Sequence, residues 1–427
     1  MNFLSMRSIL FITFFMALSS TLFSQNIIGN WKGNIDVNGN KIPIVFHFFK
    51  NSSGEIDGKW DSPKQNAIGL PFSAIHENED SIHLDIAMIS GSYNGKFFNG
   101  DSIEGIWEQS GNKIPLNFSR TSENVEAEKT EPVYPGEKEI SITSAGGSQL
   151  YGTLLLKNNH QKIAIIVAGS GPTDRNGNSS MGIRTNEYRM LAHSLDSQNI
   201  ATFRYDKRGI AKSAYAGMKE SDLVFDDYVK DAEKIFDYLH DTLGFKDIYF
   251  IGHSEGSLIA MLASQKNKVK GYISIAGAGR PIDIILEEQM QKQPLPDSIK
   301  QQIPEIFDQL KKGEEVDNIP EILNPLFRKS IQPYMISWMK YSPENEIKKL
   351  KCPILILQGG CDIQVKEIDA NNLHNANKKS ELDIIPTMSH TLKNAGKDCV
   401  DENKTYTDGS MPLDTDLVED IVKFIQK

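Results

Sequence analysis

Between residues 25 and 120, apolar and polar side chains alternate with a period of two, which is typical of β-strands that bury one face. The clearest runs are Ile42, Ile44, Phe46 and Phe48; Ile82, Leu84, Ile86 and Met88; and Ile114, Leu116 and Phe118. Turn-forming pairs such as Asn94-Gly95 separate the runs and favour short antiparallel strands. We therefore predict a small all-β barrel or sandwich domain whose core contains Trp31 and Trp107.

The pattern changes between residues 121 and 138, where acidic side chains and prolines replace most apolar ones. Such a segment cannot bury a core, and we interpret it as a linker. Beyond it, apolar runs of strand length alternate with segments of helical period. The runs cover 149–156, 162–168, 200–205, 248–251, 269–276, 353–358 and 382–385, and the helical segments cover 188–197, 225–243 and 417–425. This alternation predicts βαβ units and a mostly parallel sheet within residues 139–427.

Residues from about 280 to 350 interrupt the alternation. Their apolar positions recur at helical spacing, as in Ile299, Ile303, Ile306, Phe307 and Leu310, and again in Leu323, Phe327, Ile331, Tyr334 and Trp338. We predict that this segment is a helical insertion into the α/β domain.

The amino terminus has the pattern of a secretory signal peptide over residues 1–24. Arg7 supplies positive charge, residues 9–18 are almost wholly apolar, and small residues follow, with cleavage expected near Ser24 or after Ser19. An apolar stretch of this length is shorter than the ~20 residues that span a bilayer, and no later segment is apolar enough. We therefore expect a protein without stable membrane insertion, located outside the cytoplasm in the periplasm or secreted.

Charge and cysteine content narrow the function further. The net charge is −10 over 427 residues, and without a basic stripe a nucleic-acid partner is not expected. Cys352, Cys361 and Cys399 have no C-x-x-C spacing, so neither a zinc site nor a redox pair is indicated. The sequence thus points to a small-molecule substrate with no metal and no cofactor, and it carries no signal of oligomeric state.

The segment Gly252-His253-Ser254-Glu255-Gly256 carries the strongest chemical signal. An apolar strand pattern leads into it and a helical pattern of small residues leads out of it. In this strand, turn and helix arrangement, a serine is held at the end of the strand, with the helix amino terminus behind it. Ser254 is therefore our candidate nucleophile.

A serine nucleophile needs a base and an acid, which in this arrangement follow it in the order Ser, acid, His. Only His374 and His390 lie beyond Ser254. His374 falls within a helical stretch, where a solvated surface histidine is expected, whereas His390 follows a predicted strand. His390 is therefore the candidate base.

Asp362 is the candidate acid because it follows the buried run at residues 354–358, in a loop at the carboxyl end of a strand. Asp383 is the alternative, but it lies within a strand and would point sideways. The oxyanion hole requires two backbone donors, and we expect them to be the N–H groups of Glu255 and Ser170. The glycine-rich loop around Ser170 lacks the Lys-Ser/Thr ending of a phosphate-binding loop.

These motifs together resemble the α/β-hydrolase superfamily, and specifically secreted two-domain bacterial carboxylesterases with a β-rich amino-terminal domain. The resemblance rests on segments 169–175, 204–209, 252–256, 362–365 and 389–393. It implies an α/β-hydrolase fold in which Ser254, Asp362 and His390 are nucleophile, acid and base, with the helical insertion as a cap. Many such hydrolases have His-Gly at the oxyanion loop, where this chain has Ala168-Gly169.

The resulting hypothesis is hydrolysis of carboxylic esters through an acyl-enzyme on Ser254, with His390 as general base and acid. Alternatives on the same triad are a serine peptidase and an acyl-thioester hydrolase, and a different class is a binding protein with an inactive hydrolase domain.

Other charged residues and the cysteines of these loops are expected to stabilise the structure and not to take part in the reaction. Asp206 and Arg208 are expected to brace their loop through an ion pair. Cys361 and Cys399 flank the acid and base loops, and an oxidising compartment would favour a disulfide between them. Cys352 would remain a buried thiol.

Overall fold

The computed structural model describes residues 27–37, 40–51, 54–63, 67–78, 80–86, 91–98, 100–109, 112–122, 134–157, 160–179, 183–214 and 218–427. Contacts divide the chain into two compact units, with the boundary after residue 127. The predicted signal peptide, residues 1–24, and most of the predicted linker lie outside the described residues. Within the described residues, no helix is long and apolar enough to cross a bilayer.

The described strands of the first unit form one antiparallel sheet with the form of a half-barrel. They are β1 Gly29–Val37, β2 Asn40–Lys50, β3 Ile56–Ser62, β4 Ala67–Pro71, β5 Ala74–Glu77, β6 Ser81–Ile86, β7 Gly91–Phe98, β8 Ser102–Gln109, β9 Asn112–Pro115 and β10 Phe118–Thr121. The strand order is β4-β3-β2-β1-β10-β8-β7-β6-β5, with β9 paired to β8.

The period of two predicts which face of this sheet is buried. On β6, Ile82, Leu84 and Ile86 are buried, while the residues between them are partly exposed. The core is aromatic: Trp31 and Trp107 are both buried, as predicted. Large rings bury much apolar area per residue, which helps so small a unit to hold a core.

The turn predicted at Asn94-Gly95 is wrong, because both residues lie inside strand β7. Gly95 pairs with Gly105 on β8, and the Tyr93 ring covers both glycines. A Cβ atom on Gly95 would lie 2.6 Å from Tyr93 Cε1. This glycine therefore makes room for a ring instead of forming a hairpin turn.

The second unit contains an eight-stranded sheet in the order β11-β12-β14-β13-β15-β16-β17-β18. The strands are β11 Glu137–Thr143, β12 Gln149–Leu155, β13 Lys162–Val167, β14 Ala201–Tyr205, β15 Asp247–His253, β16 Gly271–Ile275, β17 Ile354–Gly359 and β18 Glu381–Ile385. Strands β13 to β18 pair in parallel, and β11 and β12 join at one edge in antiparallel pairing.

Helices cover both faces of this sheet and enclose two apolar cores. They are α1 Glu187–Ser197, α2 Phe225–Asp237, α3 Glu255–Lys266, α4 Ile282–Gln291, α5 Asp297–Lys300, α6 Ile303–Lys311, α7 Asn324–Phe327, α8 Gln332–Trp338, α9 Pro343–Ile347, α10 Glu367–Ala376, α11 Glu402–Thr405 and α12 Thr415–Gln426. Helices α4 to α9 occupy the predicted insertion between β16 and β17.

This architecture confirms the predicted fold class, an α/β-hydrolase fold preceded by a small all-β unit. The direction of its parallel strands determines at which edge of the sheet a ligand can bind. The carboxyl ends of β13, β15 and β17 meet at one rim, and the loops that follow them begin at residues 168, 254 and 360. Ligands of such sheets bind at this rim.

Candidate active site

Ser254 occupies a strained turn between strand β15 and helix α3. Its φ is 54° and its ψ is −121°, in a region that residues with a side chain rarely adopt. The glycines on either side provide space: a Cβ on Gly252 would lie 2.3 Å from the Gly256 oxygen, and one on Gly256 would lie 2.2 Å from the Val167 oxygen. The strain therefore falls on the serine itself, and the glycines permit the close packing around it.

Asp362 and His390 are in direct contact at the same rim. His390 Nδ1 and Asp362 Oδ2 lie 2.8 Å apart, and the aspartate side chain is fully buried. The backbone N–H groups of Gln364 and Val365 donate to the other carboxylate oxygen, at 2.8 and 2.9 Å. Gln358 Nε2 also donates to Asp362, at 3.1 Å. These donors fix the orientation of the carboxylate.

The electrostatics of this pair favour an ionised aspartate. Burial acts to raise the pKa of Asp362, but the charge of His390, its hydrogen bond and the two backbone donors outweigh burial, so the pKa is lowered. An ionised Asp362 can hold the Nδ1–H tautomer of His390 and leave Nε2 free to accept a proton.

The Ser254 hydroxyl does not form a hydrogen bond with His390 in this structure. Across the described residues, neither Ser254 Oγ nor His390 Nε2 has a hydrogen-bond partner. The neighbouring His253 ring centroid lies 4.8 Å from that of His390. The structure thus joins acid and base, whereas the contact between serine and base remains a prediction; such contacts are often long without substrate.

A second hydrogen-bonded chain, which the sequence did not predict, connects the oxyanion loop to the base. The Gly169 N–H donates to Tyr188 Oη at 3.0 Å, and Tyr188 Oη lies 2.7 Å from His253 Nδ1. His253 Nε2 lies 2.9 Å from the His390 carbonyl oxygen, so Nε2 carries the ring proton and donates it. Tyr188 then donates to His253 Nδ1.

The His253 ring must stay neutral for this chain to hold. Burial, together with the nearby His390, lowers its pKa to about 3. His253 therefore keeps one donor and one acceptor at neutral pH. Its place inside the G-x-S-x-G segment is the signal that could have identified it.

The two residues predicted to supply the oxyanion donors border the same space beside Ser254. Ser170 and Glu255 both line a cavity that also includes Ser254. Neither backbone N–H donates to another described residue. A Cβ on Gly169 would lie 3.2 Å from Ser254 Cβ, so this loop approaches the serine closely. The arrangement can accommodate a carbonyl oxygen between two free donors.

The remaining cavity wall is mostly apolar and comes largely from the helical insertion. Its apolar side chains include Leu258, Ile282, Ile285, Leu286, Trp338 and Val365. Arg280 also borders the cavity, but its guanidinium binds Asp369 at 2.9 Å and Glu288 at 2.6 Å. The space next to Ser254 therefore suits an uncharged, apolar group.

Asp206 and Arg208 are in ion pairs, although with other partners than each other. Arg175 Nη2 lies 2.6 Å from Asp206 Oδ2, and Arg208 Nη2 lies 2.7 Å from Asp231 Oδ1. The carboxylates are deeply buried in both pairs. These residues brace loops at the rim, as expected, but each bridges to a distant segment.

Cys361 and Cys399 form a disulfide, as hypothesised from the sequence. It joins the residue before Asp362 to the segment that precedes α11. Cys352 is free and half-buried instead of fully buried, and burial raises its pKa to about 11.

The two rejected candidates lie elsewhere. His374, on α10, is hydrogen-bonded to Ser380 at 3.0 Å. Asp383, on β18, interacts with Asp420 on α12; burial and Asp383 raise the pKa of Asp420 to about 6. Among the residues that the structure describes, no group of three His, Cys, Asp or Glu side chains is placed to hold a metal ion.

Comparisons with known proteins identify the family of this chain. The sequence profile of the family described as serine aminopeptidase, S33, matches residues 180–395. The chain is 25% identical over 217 residues to esterase EstD of Thermotoga maritima. That alignment spans 48% of this chain and 47% of the esterase, so the chain matches about half the length of this relative.

Solved structures with a similar fold include esterase Pf2001 of Pyrococcus furiosus, with a TM-score of 0.46 and 15% identity over 68% of this chain and 91% of that one. Est1E of Butyrivibrio proteoclasticus, with ferulic acid bound, has a TM-score of 0.44 and 21% identity over 67% of this chain and 100% of that one. Because the family profile covers just over half of the 427 residues, the chain belongs to the serine aminopeptidase S33 family of α/β-hydrolases.

Proposed function

We propose that this protein is a carboxylic ester hydrolase that acts through an acyl-enzyme on Ser254. The observation that carries the proposal is the buried Asp362–His390 pair, at 2.8 Å, on the same rim as the strained Ser254 turn and its cavity. Strained backbone and buried ionisable pairs are both costly, and they concentrate where chemistry requires them. The esterase name of the Thermotoga maritima relative supports the same reaction class.

In the proposed mechanism, His390 Nε2 removes the Ser254 proton as Oγ attacks the ester carbonyl carbon. The carbonyl oxygen becomes an oxyanion, and the N–H groups of Ser170 and Glu255 stabilise it. Collapse of this intermediate breaks the bond to the alcohol oxygen, which takes the proton from His390. The acyl group remains on Ser254.

Water completes the cycle. His390 Nε2 removes a proton from a water molecule that attacks the acyl carbon, and a second oxyanion forms in the same hole. Its collapse breaks the bond to Ser254 Oγ, releases the carboxylic acid and returns the proton to the serine. Asp362 stays ionised throughout and stabilises the protonated His390.

The charges around the cavity favour an ester over the substrate of an aminopeptidase, despite the family description. An aminopeptidase must bind the α-ammonium group of its substrate, and a free carboxylate is the suitable partner. Among the described residues that line the cavity, the only carboxylate is Glu255, and it is paired with Lys207 at 3.1 Å. Arg280, the other charged lining residue, is itself paired with Asp369 and Glu288, so the described cavity lining offers no free carboxylate to an ammonium group.

We also propose that the protein works outside the cytoplasm. The signal-peptide pattern of residues 1–24 motivates this proposal, and the Cys361–Cys399 disulfide supports it because disulfides persist in oxidising compartments. Fractionation of cells that express the full chain, followed by mass analysis of the amino terminus, tests it. Intact chain in the cytoplasmic fraction would contradict the proposal.

The proposed reaction is tested with aryl esters of graded acyl length, assayed beside an amino-acid p-nitroanilide and an aryl thioester. We expect the esters to be turned over fastest, and Ser254→Ala to lose about 10⁶-fold in kcat. Ser264→Ala is the matched control: this buried hydroxyl lies on helix α3, which follows Ser254, and donates to the Ala260 oxygen at 2.7 Å.

Two outcomes would contradict the proposal. Retained ester turnover in Ser254→Ala would remove the serine from the mechanism. A higher kcat/KM for the p-nitroanilide than for every ester would favour the aminopeptidase activity instead.

A further inference from the structure

Lys207 is a cation with almost no contact with solvent, beside the proposed oxyanion hole. It follows β14, within the segment Arg204-Tyr205-Asp206-Lys207-Arg208-Gly209, and its side chain is 2% exposed. Its ammonium donates to the Gly169 carbonyl oxygen at 2.6 Å and to Glu255 Oε1 at 3.1 Å. Burial of a charge costs free energy, so a buried lysine at this position suggests a role that offsets this cost.

Both partners of Lys207 belong to the oxyanion hole. The Gly169 carbonyl is part of the peptide unit whose N–H is that of Ser170, the first proposed donor. Glu255 supplies its own backbone N–H as the second donor, and its side chain accepts from the lysine. A single ammonium group therefore contacts the peptide unit that carries the first donor and the side chain of the residue that carries the second.

The contact between Lys207 and the Gly169 carbonyl oxygen also determines which way the Ser170 N–H points. In a trans peptide the carbonyl and the N–H point in opposite directions, and the described backbone has no cis bonds. Lys207 is not among the residues that line the cavity, whereas Ser170 is. A Gly169 carbonyl turned toward the lysine therefore turns the Ser170 N–H away from the lysine, and Ser170 borders the cavity beside Ser254. The Gly169 N–H on the preceding peptide is held separately by Tyr188, at 3.0 Å.

We propose that Lys207 is a positioning residue that orients and polarises the Gly169–Ser170 peptide, so that its N–H stabilises the oxyanion. A cation on the carbonyl oxygen draws electron density from the amide and makes its N–H a stronger donor. The inference rests on the proposed function, since it assigns a role within the same reaction.

Arg208, the next residue in the chain, provides a comparison that distinguishes the proposed role of Lys207 from a purely structural one. Arg208 is also buried and pairs with the fully buried Asp231 at 2.7 Å. The recorded ion pairs of Arg208 are with Asp231 and Asp227 on helix α2. The two pairs thus have similar burial, and Lys207 contacts the peptide that carries the donor, whereas Arg208 contacts carboxylates of a helix.

The test replaces each pair with uncharged residues. Lys207→Met with Glu255→Gln removes the cation without leaving an unpaired carboxylate, and Arg208→Met with Asp231→Asn is the matched control. Five quantities are measured: kcat and KM on a short aryl ester, the inhibition constant of an arylboronic acid that adds to Ser254, the rate of labelling by a fluorophosphonate, and the midpoint of thermal unfolding.

We expect kcat of the Lys207 variant to fall by about 10- to 100-fold, because loss of a whole oxyanion donor costs about 10²- to 10³-fold. KM should change by less than about threefold, since the donor acts mainly on the transition state. The boronic acid should bind more weakly by a factor similar to the loss in kcat/KM, and labelling should slow in parallel. The control variant should unfold at lower temperature but keep its kcat.

Equal losses of kcat in both double variants, or a kcat of the Lys207 variant within about twofold of wild type, would overturn the inference while the proposed function stands. A wild-type protein that is labelled on Ser254 but hydrolyses no ester would overturn the ester proposal; the labelling ratio would still decide the role of Lys207. A wild type that is neither labelled nor active would overturn both.

If the Lys207 variant does not fold, a crystal structure of the wild type with the boronic acid decides the matter. We expect a boronate oxygen within hydrogen-bond distance of the Ser170 and Glu255 N–H groups, with Lys207 still on the Gly169 carbonyl. A Gly169 carbonyl turned toward the cavity would refute the role.

Discussion

The first unit keeps most of its charged groups at the surface, whereas the rim of the second unit buries several of them. In the half-barrel, alternation puts apolar rings such as Phe46 and Phe118 in the core, stacked with centroids 4.0 Å apart, and most charges at the surface. At the carboxyl ends of β13, β14, β15 and β17, buried charged side chains such as those of Lys207, Glu255 and Asp362 lie close to the strand ends. The first arrangement contributes stability, whereas the second is costly and indicates a function.

Backbone strain follows the same division. Non-glycine residues with positive φ include Ser254, Ala276 and Leu392, and every one recorded among the described residues lies in the second unit. Ser254 and Ala276 directly follow β15 and β16 at the rim, and Leu392 comes two residues after His390. Three of the eight positive-φ residues recorded among the described residues therefore lie at this rim or beside His390, and four experiments can break or sharpen the contrast between the units.

The largest of these four effects is expected at the acid. Asp362→Asn keeps the shape of the side chain but no longer holds the correct tautomer of His390, so kcat should fall by about 10⁴-fold. Steady-state kinetics on a short aryl ester measure the loss. Asp383→Asn, on the next strand of the sheet, is the control and should keep its kcat; a similar loss there would mean that the acid is misassigned.

The second effect concerns the stability of the first unit. Trp31→Ala removes a fully buried ring and should lower the free energy of unfolding by about 3–5 kcal/mol. Because Ser254, Asp362 and His390 all lie in the second unit, kcat should not change. Denaturant unfolding followed by circular dichroism measures the loss, with Phe98→Ala as the exposed aromatic control on β7. Loss of activity in Trp31→Ala would break the contrast between the units.

The third effect is that of the disulfide. Cys361→Ala with Cys399→Ala opens a loop between residues separated by 38 positions, and the free energy of unfolding should fall by about 3 kcal/mol. A reducing agent should lower the unfolding midpoint of the wild type and leave that of the double variant unchanged. Cys352→Ala should stay sensitive to the reductant. An insensitive wild type would show that the bond does not support the fold.

The smallest effect is a pH dependence at His253. An unfolded histidine takes up a proton below about pH 6.5, whereas the folded ring stays neutral to about pH 3. The contribution of His253 to the free energy of unfolding is therefore complete above pH 6.5. It is lost as the pH falls, by about 1–2 kcal/mol between pH 7 and pH 5. Urea unfolding of wild type and His253→Gln across this range measures the slope, which should be shallower in the variant. Equal slopes would contradict the account of His253.

The strands and the separate residues of the site could be predicted because the signals for them lie within short segments of the sequence. Period-two and helical patterns record which faces are buried, and Ser254, Asp362 and His390 each follow a recognisable strand. Chain order then restricted the base to two histidines. The same rules fail at Asn94-Gly95, because the need of Tyr93 for space is not visible in a local pattern.

The support around the triad could not be predicted, because it depends on contacts between distant segments. Tyr188 meets His253 across 65 residues, and Lys207 meets Glu255 across 48. A tyrosine on a helix and a lysine after a strand have many uses, and only the folded sheet brings them to one rim. The partners of Asp206 and Arg208 could not be predicted for the same reason, since Arg175 and Asp231 lie 31 and 23 positions away.

The central claim is that Ser254 is activated by His390. The most direct measurement is the site of covalent labelling by a fluorophosphonate, located by mass spectrometry of peptides from the wild type and from His390→Ala. We predict one adduct in the wild type, on the peptide that contains Ser254, and a labelling rate lower by several orders of magnitude in the variant. An adduct on another residue, or equal rates in the two proteins, would contradict the claim.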